Sequence, residues 1–328
     1  MTDAADRKKK AADLALLFVD HGVRLAQVAN SLTDEQKNRL QRLAAALAAL
    51  ILATDFSDSR DVRLTIAKAR DLVSNAYAQM AGAATAGAQD LANTESRFVV
   101  STVNRVLGEE TLRQPSLRVT EPEFHGVPVA RWWQAQADDT AARVATLLRG
   151  ARPDVDVNDL ADLLTAATGP LSVAGRHAQT LTHTTVQRVA MDARNVTLKA
   201  NGQVVEGLQI VATLDSHTCA QCLAYDGATY DLSGNPTGNT SLPFNGGPPY
   251  HANCRCATVP VLTGIEPAPS PTAEDWLDAR TEAEQDDILG KGRAALYRRG
   301  SLTLRDLVSK TGQQLSLADL SEKYNTNP

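Results

Sequence analysis

The stretches "CAQC" at 219–222 and "HANCRC" at 251–256 hold all four cysteines of this 328-residue chain. A C-x-x-C turn sets two thiolates on one side of a tight knuckle, where both can reach one ion. Tetrahedral Zn2+, with Zn–S bonds of about 2.3 Å, then needs two more ligands from elsewhere in the chain. The second stretch offers His251, Cys254 and Cys256. Five candidates thus compete for four places. The preferred set is Cys219, Cys222, Cys254 and Cys256, with His251 as a substitute for one of the last two. The competing readings are packed free thiols, or oxidation to disulfides. A redox-active C-x-x-C would expect a thioredoxin-like βαβ context, and the flanking sequence lacks one.

Hydrolysis is the other chemistry these residues suggest. Asp215, His217 and His251 lie near the cysteines in sequence, and a metal with an open position beside them could cleave phosphodiesters. Nothing in their spacing fixes a common geometry, so this stays the alternative. His177 and His183 are six residues apart on a helix and do not share a face. His21 and His125 read as isolated. No P-loop, G-x-G-x-x-G or G-x-S-x-G motif is present in the sequence.

The elements that must position the cysteines read as follows. "VVEGLQIVATLD", from 204, is β-branched and reads as a strand pair or a bent strand. "GATYDL" and "CRCATVPVL" read as further strands. Between them lies "GNPTGNTSLPFNGGPPY" (234–250), in which 11 of 17 residues are Gly, Pro or Asn. Such a loop is expected to bury little apolar surface, so that a zinc-ribbon-like clamp would supply the missing stability.

Around this module the chain reads as helical. Thr33 is expected to cap a helix over "DEQKNRLQRLAAALAALILA". Leu64, Ile66, Ala69, Leu72 and Val73 approximate one face of a second helix. A third ends at Gly108. Prolines mark a boundary at 113–128. A helix with Trp132 and Trp133 as packing anchors follows, then a short helix over "VNDLADLLTAAT" and a long one reaching Asn201. In the tail, Thr272, Thr303 and Ser316 each precede an Asp by three residues, as in a capping box. The fold class expected is mainly α with a small antiparallel β module. Its segments are a helical N-terminal region (1–112), a helical body (113–203), a Cys-rich β module (204–262), and a linker with helical tail (263–328).

Hydrophobic residues are 43% of the chain and aromatics only 4%, so much of the core must be thin, Ala-rich helix packing. A net charge of −5 argues against a protein that coats nucleic acid along its whole surface. A local cluster at Lys291, Arg293, Arg298 and Arg299 could still meet DNA, although acidic neighbours favour a solvated face. The basic N-terminus lacks a small-residue cleavage site, and the longest apolar run, 43–53, is far short of the about 20 residues a spanning helix needs. A protein made in a cytoplasm, with no membrane partner, is expected.

The order of the motif is informative as a whole. Asp215, Thr218, Cys219, Cys222, Asp226, Gly227, Pro248, Pro249, His251, Asn253, Cys254, Arg255 and Cys256 follow the pattern D…T-C-x-x-C…D-G…P-P-x-H-x-N-C-R-C. This resembles the phage head morphogenesis family, the Mu F-like minor head proteins of tailed phages, and the resemblance extends over roughly 120–320. It implies a structural rather than enzymatic role. Partners would be the portal and other head proteins, with packaged DNA as a further contact, and the location the virion head interior or portal vertex. Some relatives carry a toxin or enzyme domain after the cysteine module. About 66 residues follow Leu262 here, fewer than such a domain usually needs.

Overall fold

The computed structural model describes residues 4–238, 240–268 and 272–324. The architecture is mainly helical with small antiparallel sheets. Two compact units interleave along the sequence: Met1–Arg24, Leu91–Arg118 and Ala190–Pro328 form one, Leu25–Asp90 and Val119–Val189 the other.

Helix α1 runs unbroken over Ala4–Leu52. Thr33 therefore caps nothing. Its hydroxyl donates to the carbonyl of Ala29 at 2.8 Å, inside the helix. The local cap signal loses because no breaker stands upstream, and a Thr can satisfy its hydroxyl on the preceding turn. Helix α2 (Ser59–Ala86) is capped by Asp58, which accepts from the Arg60 amide, and α3 (Ala88–Leu107) ends at Gly108 with φ +80°. After a two-strand hairpin, β1 (Glu123–Phe124) with β2 (Val127–Pro128), come α4 (Val129–Arg149), α5 (Val157–Asp162) and α6 (Pro170–Lys199).

In the unit containing residues 25–90 and 119–189, α2 packs on α4. Ile66, Val73, Tyr77 and Met80 of α2 meet Trp133, Val144 and Leu148 in one core. Leu64 departs from the expected face and stands 51% exposed. Trp133 is an anchor as expected, packed edge-on against Tyr77, whose hydroxyl shares a 2.8 Å hydrogen bond with Thr140.

The other unit is built around a four-stranded antiparallel sheet in the order β5-β4-β3-β6. Strand β3 (Val205–Val211) is central, pairing with β4 (Thr229–Asp231) and β6 (Ala257–Leu262), and β5 is Pro236–Thr237. β3 is one strand with a register shift between Val205 and Gly207. Six of its seven residues are buried, so both faces are covered, and the polar Gln209 among them is satisfied by the Ala268 backbone.

The loop before "HANCRC" corrects the expectation drawn from its composition. Leu242, Phe244 and Tyr250 are buried in the core with Tyr225 and Tyr230. Tyr250 stacks on Tyr225 at 4.1 Å between centroids. Burying each such side chain contributes about 2 kcal/mol, so the loop has a source of local stability of its own, apart from any metal. The glycines allow this packing: a Cβ on Gly247 (φ +78°) would come within 3.0 Å of the Phe244 ring.

The tail forms α8 (Ala273–Asp278), α9 (Glu282–Leu289), α10 (Lys291–Arg298), a 3-10 turn (Leu304–Leu307) and α11 (Leu317–Tyr324). The three expected caps form, with Thr272 accepting from the Asp275 amide and reciprocal bonds at Thr303–Asp306 and Ser316–Asp319. A fourth box, Thr281–Glu284, joins them. Leu277, Leu289, Leu296, Leu304, Leu307 and Leu320 form a core with Ala220 and Leu223.

Candidate metal centre

The C-x-x-C stretch sits at the start of a short helix, α7 (Ala220–Tyr225), with Cys219 as its N-cap. The Cys222 amide donates to the Cys219 sulfur at 3.4 Å. Upstream, Asp215 and Thr218 lock the approach. Thr218 Oγ1 accepts from the Asp215 amide at 2.9 Å and donates to the Thr213 carbonyl at 2.5 Å, while Asp215 Oδ1 accepts from the His217 amide at 2.8 Å. Downstream, Asp226 Oδ1 accepts from the Ala212 amide at 2.8 Å, and Gly227, at φ +71°, donates its amide to Ile210 at 2.9 Å. The T-C-x-x-C…D-G part of the motif therefore fastens α7 to the end of β3.

The second arm comes from "HANCRC". Asn253 takes a left-handed conformation (φ +59°), and the Cys254 amide returns to the His251 carbonyl at 3.2 Å. His251 Nδ1 lies 2.7 Å from the Ala252 carbonyl. That contact fixes the proton on Nδ1 and leaves Nε2 as the acceptor or ligand atom.

All five candidate ligands meet at this point. His251 Nε2 stands 3.1 Å from Cys219 Sγ and 3.0 Å from Cys222 Sγ, and Cys222 Sγ lies 3.8 Å from Cys254 Sγ. Two three-residue clusters result, Cys219–Cys222–His251 and Cys222–Cys254–Cys256, joined through Cys222. Cys222, Cys254 and Cys256 are buried and Cys219 is half-buried.

The protonation pattern shows how strongly these groups interact. The hydrogen bond with Cys222 brings the Cys219 thiol down to about 4, with His251 helping. Cys254 is held well below the usual thiol range by Cys222 and Cys256. Cys222 is driven well above it by its bonds to the other thiols and by burial. Cys256 is lowered by Cys222 but raised more by Cys254 and burial. Burial opposes a charge on His251, yet the thiols of Cys219 and Cys254 outweigh it and push its pKa up to about 10. Four crowded thiols cannot all ionise without a cation among them. The donor set fits a soft divalent ion: two thiolates on tetrahedral zinc stand about 3.8 Å apart, the separation of Cys222 and Cys254.

Beside the cluster, Arg255 grips Asp215 through both nitrogens, at 2.5 and 2.6 Å. Arg255 is thus paired with a carboxylate. The same pair bears on the hydrolytic alternative, because it engages Asp215. His217 is 84% exposed, with Nδ1 4.0 Å from Asp215, and His251 belongs to the thiol cluster. The three do not converge on a common point.

The tail residues proposed for DNA divide in two. Arg293 donates to the Leu315 carbonyl at 2.8 Å, and Arg298 pairs with Asp286 at 2.9 Å. Lys291 and Arg299 are exposed.

One buried polar assembly was not legible from sequence spacing. Glu95 and Arg194 are both fully buried, with Arg194 Nε 2.7 Å from Glu95 Oε1. His21, isolated in the sequence, lies 2.7 Å from Glu95 Oε2 and stacks on Phe98. Arg194 Nη1 also donates to the Thr258 carbonyl in β6 at 3.0 Å, two residues beyond Cys256. Burial would raise the Glu95 pKa, but Arg194 and His21 outweigh it and hold it below the usual carboxylate range.

Fold and site together define a mainly helical protein whose small antiparallel sheet carries a thiol–imidazole cluster suited to a metal ion. Residues 155–259 match the family described as Phage Mu protein F like protein. That segment is Mu F-like, in agreement with the resemblance carried by the motif, and it points to phage head morphogenesis. The match is narrower than the 120–320 stretch of the resemblance and takes in α5, α6, the sheet through Val259 and every cysteine. No curated protein and no solved structure matches the chain. No helix among the described residues is long and apolar enough to cross a membrane.

Proposed function

We propose that this protein is a minor structural component of a tailed-phage head, associated with the portal and acting in procapsid assembly and in genome packaging or delivery. The observation that carries the reading is the Mu F-like match over 155–259, within which the motif residues serve to build and brace one compact site. In this reading the cluster of Cys219, Cys222, His251, Cys254 and Cys256 holds a structural Zn2+ that fastens α7 to the strand β6. Zinc would supply cross-linking, not catalysis, and Asp215 and Arg255 brace the approach to it. Any contact with packaged DNA through the tail falls to Lys291 and Arg299, since Arg293 and Arg298 bond within the tail.

The test is co-expression with the portal protein of its phage, together with immunodetection in purified procapsids. Co-purification with portal rings and a few copies per procapsid are expected. Absence from procapsids, or normal infectious heads from a phage lacking the gene, would overturn the reading. Elemental analysis of the purified chain should find one zinc per molecule.

A further inference from the structure

Resting on the metal reading above, we infer that the ion is held by Cys219, Cys222, His251 and Cys254, and that Cys256 is a buried thiol behind the site and not a ligand. Cys222 belongs to both clusters, so a four-coordinate ion must draw on both arms. His251 Nε2 touches Cys219 and Cys222 at 3.1 and 3.0 Å. Cys254 Sγ lies 3.8 Å from Cys222 Sγ, the edge of a tetrahedral zinc–thiolate site at about 2.3 Å per bond. Cys222 is thus common to any compact set; with His251 on one side of it and Cys254 on the other, the choice falls between Cys219 and Cys256.

Two features select Cys219. A metal-bound sulfur carries negative charge and is steadied by N–H donors. Cys219 has one, the Cys222 amide at 3.4 Å. Cys219 also touches His251 directly, whereas the groups around the Cys256 sulfur are Cys222 and Cys254. Cys256 is 1% exposed and enters β6 at the next residue, so its thiol packs as a small apolar group against the site.

The experiment is cobalt substitution of the full chain and of C219S, C256S and H251A, with metal content by elemental analysis and the thiolate-to-cobalt charge-transfer band as the count of sulfur ligands. Wild type should bind one cobalt with a three-thiolate band. C256S should keep one metal and the full band. C219S should lose the metal or about a third of the band, and H251A should lose the metal or shift the ligand-field bands. A band reduced in C256S and intact in C219S would overturn the assignment, as would spectra indifferent to H251A; in both cases the metal reading stands. A wild-type chain that takes up neither zinc nor cobalt would overturn the metal reading and this assignment with it.

Discussion

Arg255 sits between two cysteines of the cluster and spends its side chain on Asp215. The fork geometry, two bonds at 2.5 and 2.6 Å, requires a guanidinium, because an ammonium cannot make both bonds at once. The pair is a little over one-third exposed, so solvent screening limits its value to about 1 kcal/mol. R255K should therefore lower stability by about that amount, and R255A by slightly more. Thermal melts check this, and an unchanged melting temperature in both variants would rule it out. At the same scale, the sequence exposed the ligand types. It did not expose which sulfurs share a proton, because that depends on distances of 3 to 4 Å between two arms 29 or more residues apart.

At the scale of elements, Glu95 and Arg194 form a fully buried ion pair joining α3 to α6, and through Thr258 to β6. His21 adds α1. E95Q would leave the Arg194 charge buried without its counter-ion, at a cost of about 3–5 kcal/mol near neutral pH. The sign of the pH dependence follows from the lowered Glu95 pKa. The carboxylate's contribution is complete above its ordinary value of about 4.3 and fades as the pH falls through the lowered one. The stability gap between wild type and E95Q should thus be constant above about pH 5.5 and narrow in acid. Urea titrations across this range test it; a gap that widens in acid would refute the linkage. The sequence concealed this network because its members lie up to 173 residues apart on three helices. Each alone looks like an ordinary helix polar residue. Thr33 misleads in the opposite way: its surroundings look like a helix start, yet α1 is continuous there. Caps at Thr272, Thr303 and Ser316 were legible, because a break in the helical pattern does precede them, whereas the Asp58 cap emerged only in the structure.

For the whole molecule, the two units have separate cores, and the thiol–imidazole cluster belongs to one of them. The sheet core around Tyr225, Tyr230, Phe244 and Tyr250 includes Cys222, Cys254 and Cys256, whereas the core around Trp133, Tyr77 and Met80 includes no cysteine. Composition marked the helical and β stretches, but it could not reveal that residues 1–24 and 91–118 join the unit of the sheet, since that grouping is set by contacts between distant segments. The consequence is a regional response to metal loss. A bound ion stabilises the state that binds it in proportion to its affinity, and that stabilisation acts first on the segments that carry the ligands. On the zinc reading proposed above, chelation under native conditions should raise amide hydrogen exchange in α7, β3 and β6, while α2 and α4 keep their protection. Because Leu242, Phe244 and Tyr250 add about 2 kcal/mol each to the same core, the stripped sheet should loosen without unfolding, and far-ultraviolet circular dichroism should change little. Loss of protection in α2 and α4 to the same degree would mean that the ion supports both cores alike. Collapse of the helical signal would mean that the loop's buried side chains contribute less than their burial indicates.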